Sequence, residues 1–222
     1  MKEVKKKSLK AVILSDTHGY HEEIEVPEGD LLIHCGDCLK GGLHTPLDSV
    51  IAFNQWLGTL PHPHKILIAG NLDIPFETHS LKARSLITHA IYLEDEAIEI
   101  EGWKIYGSPY TPRFGPWAFQ KPAGPRMKEV WDRIPEDTDI LITHGPPKGI
   151  LDRTFLGIHA GCERLAQKIE RIHVKYHFFG HIHEARGSLQ KGETLFVNAA
   201  LYPPSFKKTK EPLSPFSIVL TP

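Results

Sequence analysis

Five short apolar runs, each stopped by a polar residue in or beside a turn, constrain this chain more than anything else in it. They are Ala11-Val12-Ile13-Leu14, Leu31-Leu32-Ile33-His34-Cys35-Gly36, Lys65-Ile66-Leu67-Ile68-Ala69, Asp139-Ile140-Leu141-Ile142-Thr143 and Tyr176-His177-Phe178-Phe179. Runs of that length, bounded by turns, read as buried strands. The segments between several of them have a helical period, so the chain reads as α/β, with parallel strands and helical crossovers. In such sheets ligands bind beyond the carboxyl ends of the strands. The exits from the five runs are Ser15-Asp16-Thr17-His18-Gly19, Gly36-Asp37, Gly70-Asn71-Leu72-Asp73, His144-Gly145-Pro146-Pro147 and Gly180-His181-Ile182-His183.

The intervening segments support that reading. Thr45-Pro46 offers a hydroxyl cap and a first-position proline for a helix. Leu47, Val50, Ile51, Phe53, Trp56, Leu57 and Leu60 then form its apolar stripe, which Pro61 ends. Helices are also expected over 81–88, 127–134 and 161–171, and late strands over 193–198 and 216–220. Segments 97–101 and 103–106 flank Gly102 and read as a hairpin with one wet face. Residues 108–125 are dense in Pro, Gly and aromatics, which reads either as an ordered loop over the site or as a contact of a homodimer. With no internal repeat and no linker-like stretch, residues 1–222 are expected to form one domain.

Composition narrows the function classes. A formal net charge of -1 and the absence of a basic stripe argue against nucleic acid as a partner. An anionic substrate must then be attracted locally, by something such as a metal. No run reaches transmembrane length, and the apolar stretch behind the lysine-rich start is too short for a secretory signal. The cytoplasm is the expected location, with no membrane partner. Three cysteines argue against a disulfide framework, and Cys38 reads as a packed thiol.

The exits carry the chemistry. Side chains two apart on an extended segment lie on one side, so Asp16 and His18 can converge on one point. Together the exits supply seven donors: Asp16, His18, Asp37, Asn71, His144, His181 and His183. Seven are too many for one tetrahedral ion and suit two ions of higher coordination. Imidazole, carboxylate and amide oxygen together fit Mn, Fe, Zn, Co or Ni better than Cu or Ca, with Mn the first choice. Two such ions, about 3.5–4 Å apart, activate bound water and clamp the oxygens of an in-line displacement.

This order of motifs resembles the calcineurin-like metallophosphoesterases. The stretches Phe53-Asn54-Gln55-Trp56-Leu57, Tyr106-Gly107-Ser108-Pro109, Trp117-Ala118-Phe119, the 139–147 run and Phe179-Gly180-His181-Ile182-His183-Glu184 are similar to one branch of that family. The branch comprises the metallophosphoesterase-domain brain proteins and bacterial relatives, akin to class III cyclic nucleotide phosphodiesterases. The resemblance implies a four-layer αββα sandwich. It implies that Asp16, His18 and His183 bind one ion, that Asn71, His144 and His181 bind the other, and that Asp37 bridges them. It implies hydrolysis by metal-bound hydroxide, without a covalent enzyme intermediate, of small phosphodiesters that include cyclic nucleotides.

One departure bears on mechanism. The family usually has Gly-Asn-His-Glu or Gly-Asn-His-Asp where this chain has Gly70-Asn71-Leu72-Asp73. Leu72 can neither contact a phosphate nor protonate a leaving oxygen, and Asp73 loses the imidazole it would orient. General-acid help is worth roughly 10²–10⁴ in rate. The expected catalytic set is therefore Asp37, Asp73 and His21, with His21 as the substitute acid, acting best on esters with good leaving groups. Arg113, in the aromatic loop, is a candidate partner for a substrate anion. The alternative is a metal-binding scaffold or regulator with little catalysis, of which Leu72 would be the trace.

Overall fold

Neighbouring residues within each apolar run serve different cores. The computed structural model describes residues 5–202 and 213–222. In chain order the first elements are β1 (Leu9–Leu14), β2 (Leu31–His34), α1 (Asp48–Thr59), β3 (His64–Leu67), α2 (Ile74–Thr78), α3 (Ser80–Leu86) and β4 (Ile91–Tyr92). The middle of the chain gives β5 (Glu96–Ile100), β6 (Trp103–Ser108), β7 (Thr111–Pro112), β8 (Gln120–Lys121), α4 (Pro125–Trp131) and β9 (Ile140–Thr143). The last are α5 (Glu163–Ile169), β10 (Tyr176–Phe179), β11 (Gly187–Lys191), β12 (Thr194–Asn198) and β13 (Phe216–Leu220).

Two sheets result. One has the order β13-β1-β2-β3-β4, the other β11-β12-β10-β9-β6-β5. Strands β1 to β4 run parallel, as do β12, β10, β9 and β6. The antiparallel strands β13, β11 and β5 lie at edges. Because side chains alternate along a strand, each run feeds two layers. Leu9, Ala11 and Ile13 face Ile140, Ile142 and Phe178 between the sheets. Val12, Leu14 and Leu32 point the other way, onto Val50, Phe53 and Leu57 of α1. On the far side of the second sheet, Leu141 and Phe179 pack on Trp131 of α4 and Leu165 of α5. That is the expected αββα sandwich. It explains why the runs show no polar alternation: both faces of the central strands are covered.

Local differences from expectation have local causes. Helix α1 starts at Asp48, two residues after Pro46. The Thr45 hydroxyl donates to the Gly42 carbonyl, so it closes the preceding turn and caps nothing. The hairpin of β5 and β6 forms, but β6 also pairs with β9, which buries it and leaves only β5 wet. Strands β4 and β11 lacked a sequence signal, one being two residues long and the other a mostly exposed edge. The aromatic loop is ordered: β7 pairs with β8, and Ala118 N–H donates to the Asn71 carbonyl (3.0 Å). Among the described residues no helix is long and apolar enough to cross a membrane.

Two imidazoles sit inside this framework. His34 Nδ1 accepts from Gly36 N–H (3.2 Å), so its Nε2–H donates to Thr17 Oγ1 (3.0 Å) and joins the first two strand exits. Thr143 gives its hydroxyl proton to the Gly145 carbonyl, so His177 Nε2–H donates to Thr143 Oγ1 (2.8 Å). Burial pushes both imidazoles down to about 3. The unfolded chain takes up these protons near pH 6.5, whereas the native chain does not until about pH 3. Stability is therefore full above pH 6.5 and is lost progressively as pH falls toward 3, by up to about 1.4 kcal/mol per pH unit per group. Denaturant titrations from pH 7 to 5 should show this decline, and His177→Gln should have the shallower slope.

Candidate metal centre

The five exits meet where the carboxyl edges of the two sheets abut. Ser15 stitches the sheets together: its N–H donates to the Ala199 carbonyl (3.1 Å) and its carbonyl accepts from Leu201 N–H (3.0 Å). Close approach depends on two glycines. A Cβ on Gly180 would lie 2.1 Å from Asp16 Oδ2, and one on Gly70 would lie 2.3 Å from Asp37 Oδ1. Four of the seven expected ligands have left-handed backbones: Asp16 (φ 55°), His18 (46°), Asp37 (52°) and His181 (69°). That conformation costs roughly 1–2 kcal/mol per residue, and it persists where surroundings over-determine it. Here they do, since Asp16 N–H donates to the Gly36 carbonyl (2.9 Å) and His18 N–H to the Asp37 carbonyl (3.0 Å).

Two donor groups result. Asp16, His18 and His183 place one ligand atom each within 4.8 Å of one another, and so do Asp16, Asp37 and His144. In the first group, His183 Nε2 lies 3.3 Å and His18 Nε2 3.8 Å from Asp16 Oδ1, and the two imidazole nitrogens are 3.4 Å apart. Asp16 Oδ1 is buried and accepts no hydrogen bond, while Oδ2 is held by His181 N–H (2.9 Å). In the second group, His144 Nε2 lies 3.0 Å from Asn71 Oδ1 and 3.5 Å from Asp37 Oδ2. The His181 ring lies 4.9 Å from that of His144. Partners behind the rings fix their orientation. His144 Nδ1 donates to the Cys35 carbonyl (2.9 Å) and His183 Nδ1 to the Tyr202 carbonyl, which turns each Nε2 inward. A buried oxygen without a donor, facing imidazole nitrogens aimed from behind, fits a divalent cation. Together the two groups and Asn71 fit two.

Electrostatics agree. Burial opposes ionisation of Asp16, yet the charges of His183, His144 and His18 hold it well below the usual carboxylate range. Burial likewise opposes Asp37, and His144 brings it down. Burial disfavours His144 and His183 as cations, but Asp37 lifts the first to about 9 and Asp16 the second to about 8. Burial takes His181 to about 4. In the bare chain, two buried carboxylates are thus balanced by two protonated imidazoles, and protons stand where divalent ions would.

A cleft of about 600 Å³ opens onto these groups. His18, Asp37, Asn71, His181 and His183 face it, and Leu72, Pro112, Arg113, Phe114 and Trp117 form much of its wall. The aromatic loop therefore lies over the site. Leu72 offers its backbone, donating N–H to Asp37 Oδ1 (2.7 Å), while its side chain packs against Gly41.

Two expected catalytic residues lie elsewhere. His21 is buried in a 3-10 turn, His21–Glu23, with its ring 5.1 Å from those of Phe53 and Trp56. It belongs to the core under α1 and not to the cleft wall, and burial lowers its pKa. Its apolar surroundings remove it as the substitute acid. Asp73 is also withdrawn. It accepts N–H groups from Gly70 (2.8 Å), Leu39 (2.9 Å) and Cys38 (3.2 Å), bracing the second and third exits. Burial and the nearby Asp37 push it up to about 7. Cys38 is a packed thiol donating to Asp73 Oδ1 (3.4 Å).

A sequence profile described as calcineurin-like phosphoesterase matches residues 9–185. The chain belongs to this family. It is 37% identical to metallophosphoesterase domain-containing protein 1 of Homo sapiens, over 91% of this chain and 69% of that protein. The Mus musculus protein of that name matches equally. Among solved structures, the phosphopantetheinyl hydrolase of Mycobacterium tuberculosis superposes with a TM-score of 0.63, at 14% identity, over 96% of each chain. That likeness is one of fold. The family normally employs two divalent metals, which matches the number of donor groups.

Sequence reasoning missed the parts that carry no exit signal. His34 hid inside an apolar run, although an imidazole at the last step of a strand was a usable cue. The Tyr202 carbonyl had none. Nor did a hairpin at 152–160, whose Thr154 and Ala160 line the cleft.

Metal uptake should displace the protons on His144 and His183. Raising pH from 7 to 9 removes protons that compete with metal, so apparent affinity rises with pH over that window. Calorimetry in buffers of different ionisation enthalpy should report release of about two protons at pH 7. Gly180→Ala pushes Asp16 aside and should weaken metal binding by about 10–100-fold, the loss typical of disturbed ligand orientation.

Proposed function

We propose that this chain is a dinuclear metal-dependent phosphodiesterase acting on small phosphodiesters, cyclic nucleotide-type esters among them. The observation that carries the reading is the orphan oxygen of Asp16 facing two imidazoles, with Asp37 and His144 alongside. Asp16, His18 and His183 would hold one ion, Asn71, His144 and His181 the other, with Asp37 between them. Ions held by these residues would supply an activated water and would offset charge on the phosphoryl oxygens. Mn²⁺ is the first choice.

The chain's own residues set the rest. Leu72 N–H and the orientation of Asp37 depend on the braced loop around Asp73. Among the described residues Arg113 is the sole permanent cation lining the cleft, and Glu184 lines it as well. That balance favours a singly charged diester over a doubly charged monoester. With Leu72 in the cleft and His21 in the core, no imidazole outside the donor groups lines the cleft among the described residues. Esters whose leaving groups depart unprotonated should therefore be the good substrates.

With bis(4-nitrophenyl) phosphate and added Mn²⁺, wild type should turn over, and Asp37→Ala and His144→Ala should each lose at least about 100-fold. Leu72→His should raise the rate on alkyl diesters more than on aryl diesters, by up to about 10²-fold. An unchanged aryl-to-alkyl ratio in Leu72→His would refute the role given to Leu72. Tight Mn²⁺ binding with no turnover on mono- or diesters would favour the metal-binding scaffold, the reading that Leu72 itself invites.

A further inference from the structure

One surface feature is left unused by the site described above. Residues 152–160 form a hairpin beside the metal centre. Arg153 pairs with His159, Thr154 N–H donates to the Ile158 carbonyl (2.9 Å), and Ala160 N–H to the Asp152 carbonyl (3.0 Å). Its base is braced by Asp152, which is 2% exposed. One oxygen of Asp152 accepts N–H from Gly149 (2.9 Å) and Gly161 (3.1 Å), and the other meets His159 Nδ1 (2.6 Å). The tip is pinned as well, since Phe155 N–H donates to Glu184 Oε1 (3.1 Å), next to His183.

This fixed backbone holds Phe155, Leu156 and Ile158 in water, at 85%, 76% and 59% exposure. Phe114, in the cleft lining, is 57% exposed. Apolar side chains held out together by a braced loop mark a surface that something apolar covers. The hairpin is continuous with the catalytic cleft, because Thr154 and Ala160 are part of the cleft wall. The cleft lining is apolar in part too, since it includes Leu72, Trp117, Pro112 and Ile182.

We propose that this hairpin and the apolar cleft wall bind the non-reacting arm of a phosphodiester bearing an alkyl chain of several carbons, so that the substrate class is amphiphilic phosphodiesters. The inference rests on the phosphodiesterase reading for its catalytic half. The phosphate lies at the donor groups, Arg113 offers it a cation, and the chain runs along Leu72 and Phe114 to the hairpin. Leu72 then gains a positive role, since an imidazole at that position would put a polar group against the chain.

The test uses 4-nitrophenyl alkyl phosphodiesters with methyl, butyl and octyl arms, Mn²⁺, and concentrations below micelle formation. The leaving group is constant, so proton donation to it drops out. Each buried methylene contributes at most about fourfold, and kcat/KM should rise at least about tenfold from methyl to octyl in wild type. In the double variant Phe155→Ser/Ile158→Ser, the octyl-to-methyl ratio should fall toward one. Both residues are exposed, so the fold should not suffer. A flat wild-type series with clear turnover of the methyl ester would overturn the inference and leave the phosphodiesterase reading standing. A ratio unaltered in the double variant, accompanied by a shift from a larger to a smaller species in light scattering, would also overturn it and make the hairpin a contact between copies. If no diester is turned over, the catalytic reading falls. The binding half is then decided by octylphosphonate against methylphosphonate in calorimetry: a preference of about tenfold upholds it, and equal affinities overturn it.

Discussion

Two carboxylates, Asp16 and Asp37, are buried where two sheets meet, and much of the local structure exists to make that tolerable. A buried charge without a partner costs several kcal/mol, so each carboxylate is surrounded by nitrogen. Asp16 takes the His181 backbone amide and faces His183 and His18, while Asp37 takes the Leu72 amide and faces His144. Bringing those groups together forces the left-handed backbones and makes Gly70 and Gly180 spatial necessities. The cost in conformational strain is met by the three apolar layers, which fix the strands whose ends carry the cluster.

Much of this was legible in the sequence because strands buried on both faces leave a simple mark. Ile13 and Leu14 point into different cores, yet both must be apolar, so the run is continuous and its end is sharp. A polar residue at that end stands out, and Asp16, Asp37, Asn71, His144 and His181 were all visible in that way. What escaped was set by contacts distant in sequence. His21 lies three residues from His18 and looked available, but Phe53 and Trp56, over thirty positions away, claim its ring. Asp73 follows Leu72, yet its carboxylate turns back to the amides of Cys38 and Leu39. The helix after Thr45-Pro46 began late because the Thr45 hydroxyl found the Gly42 carbonyl first. The hairpin at 152–160 is organised by one buried aspartate and carries no periodic signal at all.

Leu72 links the chemistry to the surface. Under the proposed reaction, its lack of an acidic proton would narrow the leaving groups that can depart. As an apolar wall it is continuous with Trp117, Phe114 and the hairpin beyond. In the proposed substrate class, what is lost at the phosphorus would be offset by contact along the arm of the ester.

The way Ser15 ties the sheets has a wider consequence. Asp16 and His18 descend from one sheet, whereas His144, His181 and His183 descend from the other, and the seam between them is a few hydrogen bonds wide. The cluster therefore works as a gauge of sheet alignment. A slide of half an ångström between the layers, whether from a repacked Ile140 or a trimmed Phe178, would leave every ligand present and still detune the geometry between them. Substitutions far from the cleft, in the inner core, are then as capable of altering the geometry of the cluster as changes to the cluster's own residues.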